Sequence, residues 1–168
     1  MQSELDPRPI LETLLRHAVD FVVIGGLAGV ALGSAYQTGD VDVAYARSPE
    51  NLERLTRALE DLAATLRGAP KDVPFQLDAG TLASGQNFTF ETRHGSLDIL
   101  GDPAGAPPYP KLLADAERLD VGGFVVAVCS IDHLIKMKEG AGRPRDKLMA
   151  SEYRGLADEI RRREREGR

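Results

Sequence analysis

The sequence predicts an α+β (mixed α/β) fold, and three patterns carry that prediction. Short β-branched runs such as Phe21-Val22-Val23-Ile24 are bounded by Asp20 and Gly25, as buried strands are. Segments opened by Pro7 or Pro9 and by Ser48-Pro49 carry leucines at helical spacing. Two alternating runs, 87–92 and 95–100, flank Arg93-His94 as the arms of a hairpin would.

The elements follow in order. The first helix carries Ile10, Leu11, Leu14 and Leu15 on one apolar stripe. After the strand 21–24, Gly25-Gly26 turns the chain into a short helix, Leu27 to Leu32, closed by Gly33-Ser34. A loop through Tyr36, Gln37 and Thr38 leads to a strand over Asp40–Ala44. Ser48 caps the next helix with Pro49 at its first position, and the leucine spacing (Leu52, Leu55, Leu59, Leu62) extends it to about Leu66. A loop over 68–74, a strand over Phe75–Leu77 and a turn or short helix at Asp78–Leu82 precede the hairpin. The Gly-, Pro- and Ala-rich 101–110 stretch reads as a way out of the sheet. Beyond it come a short helix at 111–113, strands near 118–121 and 124–129, a helix over 131–139 and a last helix from Pro144 to about Arg165. A length of 168 residues fits one domain with a real core, built as a 20–100 core and a 110–168 strand pair with helices.

Composition excludes several classes. The net charge of −5 argues against a general polyanion binder, although the 136–147 and 161–168 segments are locally basic; a solvated helix surface is the first reading of the terminal run and nucleic-acid contact the second. One cysteine, Cys129, rules out an internal disulfide and a multi-cysteine zinc site, and its apolar setting reads as core rather than nucleophile. The start, Met1 to Asp6, lacks a signal-peptide pattern, and no apolar stretch approaches the roughly 20 residues that span a bilayer. The expectation is a cytoplasmic protein without a membrane partner.

The chemistry concentrates in Gly39-Asp40-Val41-Asp42-Val43. On a strand Asp40 and Asp42 share one face, about 6.6–7 Å apart, while the valines share the other. Two facing acids on a half-buried strand are costly to desolvate unless a cation sits between them, which points to a divalent metal. An acidic turn is the alternative. Asp98, between Leu97 and Ile99, supplies a third carboxylate from a neighbouring strand, or else is a surface acid on an edge strand. Mg²⁺ suits such a set because it prefers a few carboxylates, waters and substrate phosphates to an all-protein cage. Gly25-Gly26 would let a phosphate approach the backbone at the positive end of a helix, or would merely make a tight turn. Ile131, Leu134, Ile135 and Lys138 form one helical stripe, so Lys138 either edges the core or points into a cleft toward phosphate. Arg143 and Arg145 either bind phosphate or pair with Asp146. His17, His94 and His133 show no metal-ligand spacing.

Taken together, the apolar strand, Gly25-Gly26, the spacer through Gly39, Asp40-Val41-Asp42 and Leu97-Asp98-Ile99 resemble the nucleotidyltransferase superfamily related to DNA polymerase β. That resemblance covers about residues 20–100. Thr38-Gly39-Asp40-Val41-Asp42, the Leu134–Lys138 helix and Gly142-Arg143-Pro144-Arg145-Asp146 are similar to small bacterial nucleotidyltransferases typified by AbiE-type toxins and their uncharacterised relatives, which extends it to about residue 150. Two positions depart from the pattern, with Leu32 and Tyr36 where relatives commonly carry histidine and arginine.

The resemblance implies a polymerase β-like fold, a mixed sheet flanked by helices with a small C-terminal helical extension. It implies a Mg²⁺-dependent enzyme, with one ion or two, that transfers NMP from an NTP to a hydroxyl acceptor. Asp40, Asp42 and Asp98 would be the metal ligands and catalytic carboxylates. Gly25, Gly26, Ser34, Thr38, Lys138 and Arg143 would surround the nucleotide. The acceptor would be RNA or tRNA, a protein or a small molecule, and a toxin role would add a cognate antitoxin as partner. A catalytically silent nucleotide- or partner-binding module of the same fold is the alternative.

Overall fold

Helix α1 (Arg8–Arg16) buries Ile10, Leu11 and Leu14 completely, while Leu15 lies at the edge of the stripe and is 38% exposed. The chain turns through Ala18 into β1 (Phe21–Ile24), whose four side chains are all buried. Helix α2 (Gly25–Leu32) follows without a connecting loop and ends on Gly33, whose φ of 113° is open to glycine and strained for other residues. Strand β2 (Asp40–Tyr45) leads to α3 (Pro49–Asp61), where the Ser48 hydroxyl accepts the Asn51 N–H as an N-cap.

Helix α3 ends at Asp61, about a turn earlier than the leucine spacing predicts. Leu62 is still buried, but Ala63 takes a left-handed φ of 53° and redirects the chain into β3 (Thr65–Leu66). No glycine or proline announces that turn, so the apolar pattern runs straight through it. The 75–77 segment is irregular rather than a strand. Phe75 instead packs its ring against Phe88 and Phe90, at centroid distances of 6.3 and 6.2 Å. Helix α4 (Ala79–Ser84) is capped by Asp78, and β4 (Asn87–Thr92) and β5 (Gly95–Leu100) form the expected hairpin.

The remainder is α5 (Tyr109–Ala114), β6 (Glu117–Val121), β7 (Phe124–Val128), α6 (Ile131–Ala141) and α7 (Pro144–Glu166). Strands β6 and β7 meet at Gly122-Gly123, both at positive φ as a tight two-residue hairpin turn requires. These elements come from a computed structural model that describes residues 5–70, 72 and 74–168; Met1–Glu4 of the chain start and two positions of the 68–74 loop lie outside the described residues.

Among the described residues, the seven strands join one mixed sheet in the order β3-β4-β5-β2-β1-β7-β6. Strand β2 runs antiparallel to β1 and parallel to β5, and β1 runs parallel to β7. The pairing sorts the central strands into two faces. Val41, Val43, Leu97, Ile99 and Phe90 are fully buried on one. The opposite face carries Asp40, Asp42, Ser96, Asp98, Thr89 and Glu91 in adjoining rows. Helix α2 packs on β1 and β2 and reaches α6, which lies against α7. Those two helices therefore stand beside the strand ends that carry the aspartates.

One buried polar clamp joins three parts of this frame. Asn51, with no exposed surface, accepts the Asp20 N–H at 2.7 Å and donates to the carbonyls of Asp20 and Ala46 at 3.0 and 2.7 Å. It fixes the start of β1 and the end of β2 to α3. Asn51→Ala removes the side-chain partner of the Asp20 N–H and the Ala46 carbonyl, while the Asp20 carbonyl keeps the Ala46 N–H, so chemical denaturation should show a loss of about 2–4 kcal/mol.

Candidate active site

Asp42 and Asp98 are direct neighbours across the parallel β2–β5 pair, in the row that also contains Ile24 and Thr89. Asp40 sits one row away, opposite Ser96. The two strands therefore deliver carboxylates from 56 residues apart in sequence to adjacent positions on one face. Side by side in a half-buried row, the two carboxyls cannot both ionise cheaply. Burial first, then the charge of Asp98, the hydrogen bond to it and the charge of Asp40, push the Asp42 carboxyl up to about 7, with Lys138 opposing. Burial also raises Asp98, against the pull of Arg67.

The glycines before this pair have a different immediate use from the one their sequence suggests. A Cβ on Gly25 would lie 2.1 Å from Asp42 Oδ2, and one on Gly26 would lie 2.9 Å from the Thr38 side chain. The bare backbone thus makes room for the chain's own Asp42 and Thr38. Thr38 Oγ1 donates to the Asp40 carbonyl at 3.0 Å and lies 3.3 Å from the Asp40 N–H, which sets the start of β2. Gly25 remains on the wall of the cleft, and Ile24 provides no side-chain cap for the first N–H groups of α2.

A cleft of about 260 Å³ opens beside the pair. Asp42, Asp98 and Gly25 line one side, Lys138, Arg143 and Asp146 another, and Leu100, Pro103, Ala104, Leu134 and Met137 add apolar wall. Helix α6 brings Lys138 here because its Leu134 side is buried, and the left-handed Gly142 then turns the chain into α7. Asp146, 2% exposed, ties the cations together, with Arg143 Nε at 2.7 Å and Lys138 Nζ at 3.6 Å. The Arg143 hydrogen bond, helped by the Lys138 charge, holds the Asp146 carboxyl below its usual range.

The structure brings Asp42, Asp98, Gly25, Lys138 and Arg143 to this one cleft. It places Ser34 elsewhere, in a separate cavity with Tyr36, Tyr153, Glu152 and Glu159, where its hydroxyl accepts the Tyr36 N–H. Leu32 packs on the core and Tyr36 is 44% exposed. Cys129 is fully buried, and burial drives its thiol up to about 12, so it is inert. His17 and His133 are engaged by Asp61 and Asp115.

Arg67 is the residue of this carboxylate row that sequence reasoning missed. Its Nη2 lies 2.9 Å from Asp98 Oδ1 and 3.1 Å from the Phe90 carbonyl, and its Nε 2.8 Å from Glu91 Oε1. Burial works against its charge, but Asp98, Glu91 and Asp40 outweigh burial and raise its pKa. Only the short β3, paired with β4, carries Arg67 to this row, and a two-residue strand leaves no periodic signal.

Among the described residues, no three carboxylate, imidazole or thiolate side chains converge as they stand on a ready-made ion site. The donor set nonetheless fits a divalent cation. Burial disfavours the ionised forms of the adjacent Asp42 and Asp98, a cost that such a cation would offset, and Asp40 adds a third oxygen donor close enough to raise both.

The raised Asp42 pKa has a signed consequence for stability. The folded protein keeps a proton that the unfolded chain releases between the ordinary 3.8 and about 7, so metal-free stability falls as pH rises through that window. In EDTA, Asp42→Asn should match wild type near pH ~4 and exceed it at pH ~8 by about 1–4 kcal/mol, read by denaturant unfolding.

No protein-family profile and no curated protein matches the sequence. Solved structures do match. The antibiotic-resistance factor ANT(2'')-Ia, crystallised with adenylyl-2''-tobramycin, is 16% identical at a TM-score of 0.60, over 91% of this chain and 86% of its own. The lincosamide antibiotic adenylyltransferase LnuA, bound to lincomycin, is 11% identical at 0.61, over 92% and 99%. A Thermotoga maritima protein assigned as a nucleotidyltransferase is 17% identical at 0.55, over 90% of each chain. At these identities the likeness is one of architecture: the chain has the polymerase β-like nucleotidyltransferase fold.

Proposed function

We propose that this protein is a Mg²⁺-dependent nucleotidyltransferase that moves NMP from an NTP to a hydroxyl acceptor. The observation that carries the reading is the cross-strand Asp42–Asp98 pair lining a cleft that Lys138 and Arg143 also line. Asp40, Asp42 and Asp98 would hold the metal, which when bound supplies charge neutralisation for the attacking and leaving oxygens of an in-line displacement.

The chain's own groups account for the rest. Lys138 and Arg143 offset triphosphate charge, and the uncapped N–H groups at the start of α2 offer donors at the positive helix end. Leu100, Pro103, Ala104 and Met137 give the cleft an apolar wall against which a nucleotide's less polar parts would lie. Asp98 takes the acceptor proton as the acceptor oxygen bonds to the α-phosphorus. The bond from that phosphorus to the bridging oxygen breaks, and pyrophosphate leaves.

The acceptor that best suits the surface is a small hydroxyl compound, as in the antibiotic-modifying neighbours. Extended RNA suits it less, because Arg154, Arg161 and Arg163 of α7 are engaged by Glu139, by Asp132 with Asp158, and by Glu159. A toxin role would require RNA or protein as acceptor. A silent binding module of the same fold is the second reading, and the Arg67 guanidinium on Asp98 is what favours it.

The test offers Mg²⁺ and each labelled NTP with a panel of polyhydroxylated small molecules, total RNA and protein. Label is expected on a small molecule, and Asp42→Asn or Asp98→Asn should lower transfer by about 10²-fold or more. Label on RNA or protein instead would support the toxin role. Saturable NTP binding without transfer to any arm would overturn the enzyme reading in favour of the silent module.

A further inference from the structure

Arg67 is built into the carboxylate face rather than resting on it. Glu91 receives the guanidinium Nε at 2.8 Å and is itself fixed by the Ser96 hydroxyl at 2.7 Å. The Phe90 carbonyl takes a second bond, and Asp98 Oδ1 the third. Two of the three anchors are therefore independent of Asp98. Strand β3 is the edge of the sheet, and the Arg67 side chain is 34% exposed, so the guanidinium can swing its Nη2 away from Asp98 and the Phe90 carbonyl while its Nε stays on Glu91. Among the described residues, no other arginine or lysine forms an ion pair with Asp40, Asp42 or Asp98.

We propose that Arg67 is a displaceable counter-ion of Asp98, which competes with the divalent cation for this carboxylate and so sets how tightly the site is loaded. The inference rests on the reading of Asp42 and Asp98 as metal ligands. Asp98 Oδ1 cannot direct the same lone pair at a guanidinium N–H and at a metal. Beyond that contact, a positive charge still tethered to Glu91 a few ångströms away opposes a dication through space. Arg67 is thus a positioning residue: it holds the Asp98 carboxylate aimed and neutralised until cation and nucleotide arrive together. Asp42, which has no such partner, is the first point of entry. A purely structural arginine would act the other way, since its loss would loosen Asp98 and weaken cation binding.

That difference in sign is the test. Free Mn²⁺ is measured by electron paramagnetic resonance during titration of the full-length protein at fixed pH and low salt, without nucleotide. Arg67→Met, which keeps the apolar stem and removes the charge, should bind Mn²⁺ roughly tenfold more tightly than wild type. Arg67→Gln should shift the same way, which guards against a disturbance of β3 by methionine, and Arg67→Lys should return most of the way to wild type. Thermal melts confirm that each variant is folded. Unchanged or weaker Mn²⁺ binding in folded Arg67→Met and Arg67→Gln, with weakened binding in Asp42→Asn, overturns the role of Arg67 and leaves the site reading intact. Mn²⁺ binding indifferent to both Asp42→Asn and Asp98→Asn overturns the two together.

Discussion

The structure turns on the side-by-side placement of Asp42 and Asp98 across β2 and β5. Two carboxyls in a half-buried row cannot both ionise cheaply, and the surroundings are arranged around that conflict. Gly25 gives up its side chain so that Asp42 can lie against the backbone, and Thr38 sets where β2 begins. Asp42 keeps a proton to about 7, Arg67 answers the charge of Asp98, and Lys138 acts on Asp42 from across the cleft.

The positive side is assembled by a different device. Lys138 ends an apolar stripe on α6, and Arg143 sits at the start of α7, yet Asp146 gathers both. A buried acid that binds two cations stores their charge at the cleft without leaving them free to pair elsewhere. A more acidic ligand, such as a polyphosphate, could compete for them. Arg67 plays the mirrored part, a cation held among acids on the opposite side. Asp146 with its two cations lines the cleft, and Arg67 with its two acids stands behind Asp98.

The surface tells the same story on a larger scale. The basic end of α7 looks in sequence like a rail for polyanions. In the fold several of its arginines meet acids from α6 or from their own helix. Exposed pairs of this kind add little stability, but they offset part of the positive charge of this end.

Local patterns made much of this legible. Val41 and Val43 alternate with Asp40 and Asp42, so the two-faced strand and its acidic side could be read directly. Leu97-Asp98-Ile99 gave the third acid, and the Ile131–Lys138 stripe placed its lysine at the edge of an apolar face. What could not be read was set by pairing between distant segments. The end of α3 at Asp61 depends on a left-handed alanine, and β3 exists only because β4 lies beside it. The true neighbours of Gly25 and Gly26, the distance of Ser34 from the cleft, and the hold of Arg67 on Asp98 all follow from strand register. By itself the sequence determined which residues share a face, because side-chain direction follows from local backbone period. Only the tertiary structure decided which faces meet and which charges pair, because register and packing bring together residues that no local period relates.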